Sequence, residues 1–419
     1  MQTNSPTTNR FEEAGAPVTA PPVIDWVQIA CPLCAVEDAE VIYERAHETG
    51  AVLGRLHKTD VLCRECGFMY TNPRPSVSDM RRYYGDSSGA SGSIYHSMEP
   101  GSRLHRLTQE RVAFMHSLIR QHLGADARSI LDIGCALGDL LSNLELEGWK
   151  RAGLEPSKSA SHFARERGLD VECGELETAE IAEGSYAVVS CISVLEHVWD
   201  LEASMKKIAE SVEEGGLVFL EVPDSTRPVA QVAEFFSFEH FSHFTRGSLT
   251  HCLENAGLSI VAFDENVGLP NLRVCARRSP RMTVHRSDEY NSRAVLRRAV
   301  DEYVSQRRRL EDSLISELEG RVASWTEKGA RVAIYGAGMH TRFLMELFDL
   351  SSFVECVLDS DPEKAGGKFL DWRVHGPDEI QALGLDAILI STNAFEQEVY
   401  DSLMSTANVH GIEVVRCYR

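Results

Sequence analysis

The chain has 419 residues, 63 Asp and Glu against 42 Lys and Arg, and a formal net charge of −21 at pH 7. That balance repels a phosphate backbone and argues against nucleic acid as a partner. With 43% hydrophobic residues the chain can bury cores for roughly two or three domains, yet it has no apolar run of about 18 residues that would span a membrane.

Residues 1–22 are rich in Pro, Thr, Ala and Asn and are expected to be disordered. They lack the charged start and apolar core of a secretory leader, so a cytoplasmic protein is expected. Two Cys-x-x-Cys pairs follow, Cys31 with Cys34 and Cys63 with Cys66, in a module expected over residues 23–76. Two such knuckles bring four thiolates into the tetrahedron that structural zinc prefers, with no position open to water. The alternatives are a disulfide, disfavoured in a reducing compartment, and inert thiols, disfavoured by two coincident pairs. The spacer between the knuckles allows a small sheet. Tyr70–Pro75 reads as a proline-stiffened exit and Met80–Gly85 as a short helix. The loose stretch Ser87–Ser93 is positioned to act as a lid. Leu104–Leu123 reads as an amphipathic helix.

The segment expected to form the main domain, residues 77–283, centres on an apolar strand, Ser129–Ile133, which runs into a small-residue turn. Asp132 precedes the turn, and Gly134, Ala136 and Gly138 build it. A second strand, Arg151–Leu154, ends in Glu155. A carboxylate about 20 residues past a glycine turn can accept from both hydroxyls of a ribose. An acid at position 132 would repel a pyrophosphate but can accept from the amino group of a methionine moiety. The alternative is an ordinary strand–helix turn. Further strands are read at Asp170–Cys173, Tyr186–Cys191, Leu217–Pro223, Leu258–Phe263 and Leu272–Ala276. Their alternation with helical stretches predicts an α/β fold with a parallel sheet covered on both faces.

After the fifth strand, Glu239, His240 and His243 are interleaved with Phe235, Phe236, Phe238, Phe241 and Phe244. In an open α/β sheet this loop lies over the carboxyl ends of the strands, where ligands bind. The alternative is that the aromatics are core and that one histidine, His243 rather than His240, caps a helix starting near Ser248. Residues 284–328 form a helical connector with a stripe of Leu310, Leu314, Leu318 and Val322. Arg307–Arg309 on it is expected to be a solvated face with Glu311 and Asp312 as partners. Residues 329–419 form a second doubly wound unit opening with Gly336-Ala337-Gly338, in which Thr341 stands for the third glycine of a dinucleotide fingerprint.

The run Leu131–Gly138 resembles motif I of class I S-adenosylmethionine-dependent methyltransferases, with Ala136 for the usual middle glycine, and Val194-Leu195-Glu196-His197 resembles their "VLEH" turn. The resemblance implies a Rossmann-like methyltransferase sheet, with Asp132, Gly134, Ala136 and Gly138 at the methionine end, Glu155 on the ribose and Glu175 at the adenine edge. A cysteine module, a methyltransferase core and a C-terminal Rossmann-like domain together resemble sugar C-methyltransferases. That resemblance implies zinc, a sugar or nucleotide-linked sugar as acceptor, His240 as catalytic base and Glu239 as its partner; Phe238 stands where that family has tyrosine. A histidine of near-neutral pKa can take the acceptor's proton. Two other readings stay open: an NAD-dependent oxidoreductase using the C-terminal turn, and a zinc-bearing RNA methyltransferase or binding module.

Overall fold

The computed structural model describes residues 24–49, 53–85, 103–124, 128–144, 146–230, 235–268, 270–279, 292–361, 364–392 and 396–418. The expected tail and the expected lid, Ser87–Ser93, lie outside the described residues.

The N-terminal strands are β1 (Trp26–Val27), β2 (Ala39–Glu48), β3 (Arg55–Cys63), β4 (Met69–Thr71) and β5 (Arg74–Pro75), followed by α1 (Val77–Gly85) and α2 (Arg103–His122). β2, β3 and β4 form an antiparallel meander, the small sheet that the cysteine spacer allows. Next come β6 (Ser129–Ile133), α3 (Asp139–Asn143), β7 (Lys150–Glu155), α4 (Lys158–Glu166), β8 (Asp170–Cys173), β9 (Tyr186–Ile192), α5 (Leu201–Ser211) and β10 (Val212–Pro223). The segment closes with β11 (Ser242–His243), α6 (Arg246–Asn255), β12 (Leu258–Phe263) and β13 (Asn271–Arg278).

Seven of these strands form one sheet in the order β12-β13-β10-β9-β6-β7-β8. The order reverses at β6, which has β7 on one side and β9 on the other, so the loops leaving β6 and β9 part and open a crevice. β13 departs from the expected parallel arrangement and runs antiparallel to both β10 and β12. β10 starts at Val212 instead of Leu217, because Gly215 and Gly216 sit in a register shift against β9. A Cβ on Gly216 would meet the Ala187 carbonyl oxygen at 2.7 Å, so only glycine allows this approach.

The sheet buries both faces. On one, Val112, Met115, Leu118 and Ile119, spaced to line a single side of α2, pack on Ile130, Leu141 and Ala164. On the other, Met205 and Ile208 of α5 and Leu249 and Leu253 of α6 share a core with Phe68 and Tyr70 of the N-terminal sheet. The two regions are also joined by backbone pairing. β11 pairs antiparallel with β4 and completes a second sheet, β11-β4-β3-β2. The expected boundary after residue 76 is therefore crossed by hydrogen bonds.

The connector is one helix, α7 (Arg293–Lys328), stopped by Gly329 in the left-handed region at φ 58°. Leu296, Val300 and Tyr303 pack on Tyr43, Met69 and Phe236, whereas Leu314, Leu318 and Trp325 pack on the C-terminal unit. Arg307 corrects the expected solvated face. It is buried, donates from Nε to Glu311 at 3.0 Å, and lies 4.3 Å over the ring of Phe343, while Arg308 and Arg309 are exposed. The C-terminal unit consists of β14 (Val332–Tyr335), α8 (Met339–Leu347), β15 (Val354–Leu358), β16 (Lys368–Phe369), β17 (Trp372–His375), α9 (Ile380–Leu383), β18 (Ala387–Ile390), α10 (Glu396–His410) and β19 (Glu413–Arg416). Its sheet runs β16-β17-β15-β14-β18-β19, parallel except for β16. Among the described residues, no helix is long and apolar enough to cross a membrane.

Candidate active site

The turn after β6 needs the left-handed backbone at Gly134, Ala136 and Gly138. A Cβ on Gly138 would overlap Leu169 at 2.1 Å, and one on Gly134 would overlap Val194 at 2.3 Å. Ala136 holds φ 48° without glycine's freedom, a local strain. The strain is offset by a hydrogen bond: the Ala136 N–H donates to Glu155 Oε2 at 2.9 Å. The Ser157 N–H donates to the other carboxylate oxygen at 2.8 Å. Glu155 thus stands at the end of β7, facing the turn, as the spacing predicts. Burial raises its pKa against these two donors.

Asp132 lies beside β9, and Ser190 Oγ donates to it at 2.7 Å. Burial outweighs that bond and pushes Asp132 up to about 7. A buried carboxyl poised in this way gains most from an arriving cation. Arg81 of α1 pairs with Glu175 at 3.0 Å, which ties the first helix to the segment after β8.

The loop after β10 brings its histidines to two different places. His240 donates from Nδ1 to the Phe235 carbonyl at 3.2 Å, because a carbonyl can only accept. Its Nε2 lone pair is then available. Burial first, then the neighbouring His197, His243 and Lys58, hold its pKa well below the usual value, so the ring is neutral. Glu239 is not its partner, which corrects the expectation. Glu239 instead accepts from the Tyr83 hydroxyl at 2.8 Å, and the Tyr83 ring meets Phe238 edge-on at 5.5 Å. His240 is held by a backbone carbonyl and by the ring of His197, 4.9 Å away.

His243 is buried. It sits on β11 in a buried trio: its Nε2 donates to Asp60 Oδ1 at 3.0 Å, and Lys58 Nζ donates to Asp60 Oδ2 at 2.8 Å. Burial would raise the Asp60 pKa, but Lys58 and His243 outweigh it and hold the carboxyl well below the usual range. His243 does not cap the following helix. Thr245 does so, in a capping box with Ser248. Thr71 Oγ1 donates to Asp60 at 2.7 Å and lies 3.1 Å from the His240 carbonyl, so the trio braces the backbone of His240.

Sequence reasoning assigned no role to Glu196, His197, Lys58, Asp60 or Tyr83. Lys58 and Asp60 carried a signal, since they are charges at i and i+2 on one face of a strand that runs into the apolar Val61-Leu62-Cys63. Glu196 and His197 were visible only as part of the turn after β9.

The four module cysteines converge. Sγ of Cys31 is 3.6 Å from that of Cys66, Sγ of Cys34 is 3.5 Å from that of Cys63, and all four lie within 4.8 Å. The knuckles fold alike: Cys31 N–H donates to Val36 and Cys63 N–H to Phe68, both at 2.9 Å. In the C-terminal unit the Ala337 N–H donates to Asp359 at 2.8 Å, and Thr341 Oγ1 fills the turn by bonding Gly336 O and Ser391 Oγ.

A family model described as a methyltransferase domain matches residues 102–262, and one described as C2185-like, N-terminal, matches residues 328–414. The ubiquinone biosynthesis O-methyltransferase of Rhizobium etli is 28% identical over 159 residues, covering 35% of this chain and 64% of that protein. The protein of the same name from Escherichia coli O7:K1 is 33% identical over 123 residues, covering 28% of this chain and 50% of that protein. Both matches stop short of two thirds of the relative's own length. A solved S-adenosylmethionine-dependent methyltransferase from Mesorhizobium loti aligns with 18% identity and a TM-score of 0.33 over 39% of this chain and 96% of that one. Residues 102–262 of this chain thus match a methyltransferase domain.

Proposed function

We propose that the whole protein transfers a methyl group from S-adenosylmethionine to an oxygen of a small hydroxylated acceptor, a sugar or a nucleotide-linked sugar. The observation that carries this reading is Glu155, whose carboxylate closes on the Ala136 N–H across the glycine turn, with His197 and His240 at the neighbouring strand ends. The donor supplies a methyl group on a positively charged sulfur. Around it Asp132 meets the amino group, Glu155 takes the ribose diol, and the turn at 134–138 lets the backbone approach. The imidazole pair marks where the acceptor's proton is handled. Oxygen is favoured over carbon because the reported relatives are named O-methyltransferases and because Phe238 carries no hydroxyl.

The cysteine quartet fits zinc. Bonds of about 2.3 Å set sulfurs about 3.8 Å apart, close to the separations seen. Cys31, Cys34, Cys63 and Cys66 would hold it, with a structural role. The C-terminal unit is read as an acceptor-side domain without a redox cofactor, since Thr341 fills its turn.

His240→Ala tests the reading. Calorimetry should show S-adenosylmethionine binding unchanged, while turnover on sugar acceptors falls by roughly 10²–10⁴. Unchanged turnover removes the histidine from the reaction, and absent donor binding in the unmodified protein removes the whole reading.

A further inference from the structure

Glu196, His197 and His240 form a second cluster of metal-ligating atoms, far in kind from the cysteine quartet: one ligand atom from each lies within 4.8 Å of the others. Three independent features suit these groups to a cation. Both imidazoles have Nδ1 on a backbone carbonyl, His197 on Glu239 at 3.1 Å and His240 on Phe235 at 3.2 Å. A carbonyl fixes the proton on Nδ1, so each ring turns an Nε2 lone pair toward the cluster. This is the outer-shell arrangement that orients histidine ligands in metal sites. The third feature is Glu196. Its side chain is 2% exposed, and its Oε2 has no hydrogen-bond partner among the described residues. Buried carboxylate oxygens are normally paired, and an orphan on a side chain whose other oxygen, Oε1, lies 4.0 Å from His197 Nε2 calls for a positive charge.

We propose that Glu196, His197 and His240 hold a divalent transition-metal cation beside the methyl-transfer site. Two nitrogens and one oxygen select a zinc-, manganese- or iron(II)-class ion over magnesium or calcium. Three protein ligands leave coordination positions open, and His197 is partly exposed, so a small molecule can reach them. The inference rests on the function proposed above for where the acceptor lies, and it specifies how the acceptor's proton is lost. A hydroxyl reaching the cation is acidified and gives its proton to solvent. The oxygen then forms its bond to the methyl carbon, the carbon–sulfur bond breaks, and the electron pair stays on sulfur, which becomes a neutral thioether. His240 serves here as a ligand.

The test uses the full chain with its cysteine site loaded with zinc and any other metal removed by a mild chelator. Manganous ion, a poor thiolate partner, is titrated in, and the free ion is followed by electron paramagnetic resonance. One ion should bind per chain, and Glu196→Gln and His197→Ala should each weaken it at least tenfold. Circular dichroism and S-adenosylmethionine calorimetry on each variant show whether the fold and the donor site persist. His240→Asn, which keeps a ligand atom, should retain more binding than His240→Ala. No manganese, cobalt or zinc bound beyond the cysteine site, or equal affinity in Glu196→Gln, overturns the proposal. Full methyl transfer by the stripped protein also overturns it while leaving the proposed function standing. Loss of donor binding in the unmodified protein overturns the function instead.

Discussion

The chain builds the same strand–turn–helix–strand unit twice, and the two copies differ in what they leave for a ligand. In both, the first turn residue donates to the end of the next strand: Gly134 to Leu154 and Gly336 to Leu358, each at 2.7 Å. In both, the residue two or one further on donates to an acid at that strand end, Ala136 to Glu155 and Ala337 to Asp359. The similarity stops at the side chains. Asp359 is also engaged by Lys364 Nζ at 3.2 Å, and Thr341 plugs its turn. Glu155 takes backbone N–H groups. Two residues before the first glycine stands Asp132 in one unit and the fully buried Ile334 in the other. Shared topology therefore says little about binding, and the contrast rests on a few side chains.

The contrast can be broken by substitution. The largest effect is expected at Gly138→Ala, which meets both a left-handed backbone and Leu169. It should cost about 2–4 kcal/mol, read as a fall in unfolding temperature. Gly338→Ala, extended and with open space, should stay within about 0.5 kcal/mol. Next is Glu155→Gln, which should weaken S-adenosylmethionine by roughly ten- to a hundredfold in calorimetry, as expected for lost hydrogen bonds to a charged group. Asp359→Asn should leave that affinity unchanged; a loss there would make the C-terminal unit part of the donor site.

A smaller effect is a pH dependence that only the first unit can show. Asp132 without ligand is raised to about 7. A bound cation favours its ionised form, so below that pH binding must expel a proton. Affinity should thus rise toward pH 7 and level off above it, and the Asp132→Asn protein should lose this slope. Proton uptake on binding would reverse the sign and refute the assignment. The smallest effect separates the two turn alanines. Ala136→Gly relieves a positive φ and should be neutral to stabilising by about 1 kcal/mol, whereas Ala337→Gly only loosens the unfolded chain and should destabilise by about 0.5–1 kcal/mol.

Much of this was legible in the sequence for a local reason. Strands such as Ser129–Ile133 and Leu258–Phe263 are short, mostly apolar runs between turn residues, and they fall where the pattern predicts. The glycine turn, its acid and the cysteine pairs are likewise written in nearby residues. What was not legible depends on partners distant in the chain. Glu239 is next to His240 in sequence but bonds Tyr83, across a fold that adjacency cannot reveal. Arg307 looks solvated until Phe343 is placed beneath it. β11 is two residues long, too short for any periodicity, and exists only because β4 offers it an edge.

That short pairing decides how the protein can be divided. β4 starts three residues after Cys66, and Thr71 donates its N–H to the Phe241 carbonyl at 2.9 Å. A fragment cut before residue 77 would leave Ser242 and His243 as an unmatched edge and remove the brace under His240. The N-terminal sheet and the seven-stranded sheet therefore belong to one cooperative piece, and during synthesis the loop carrying His240 takes its shape on a surface laid down earlier in the chain.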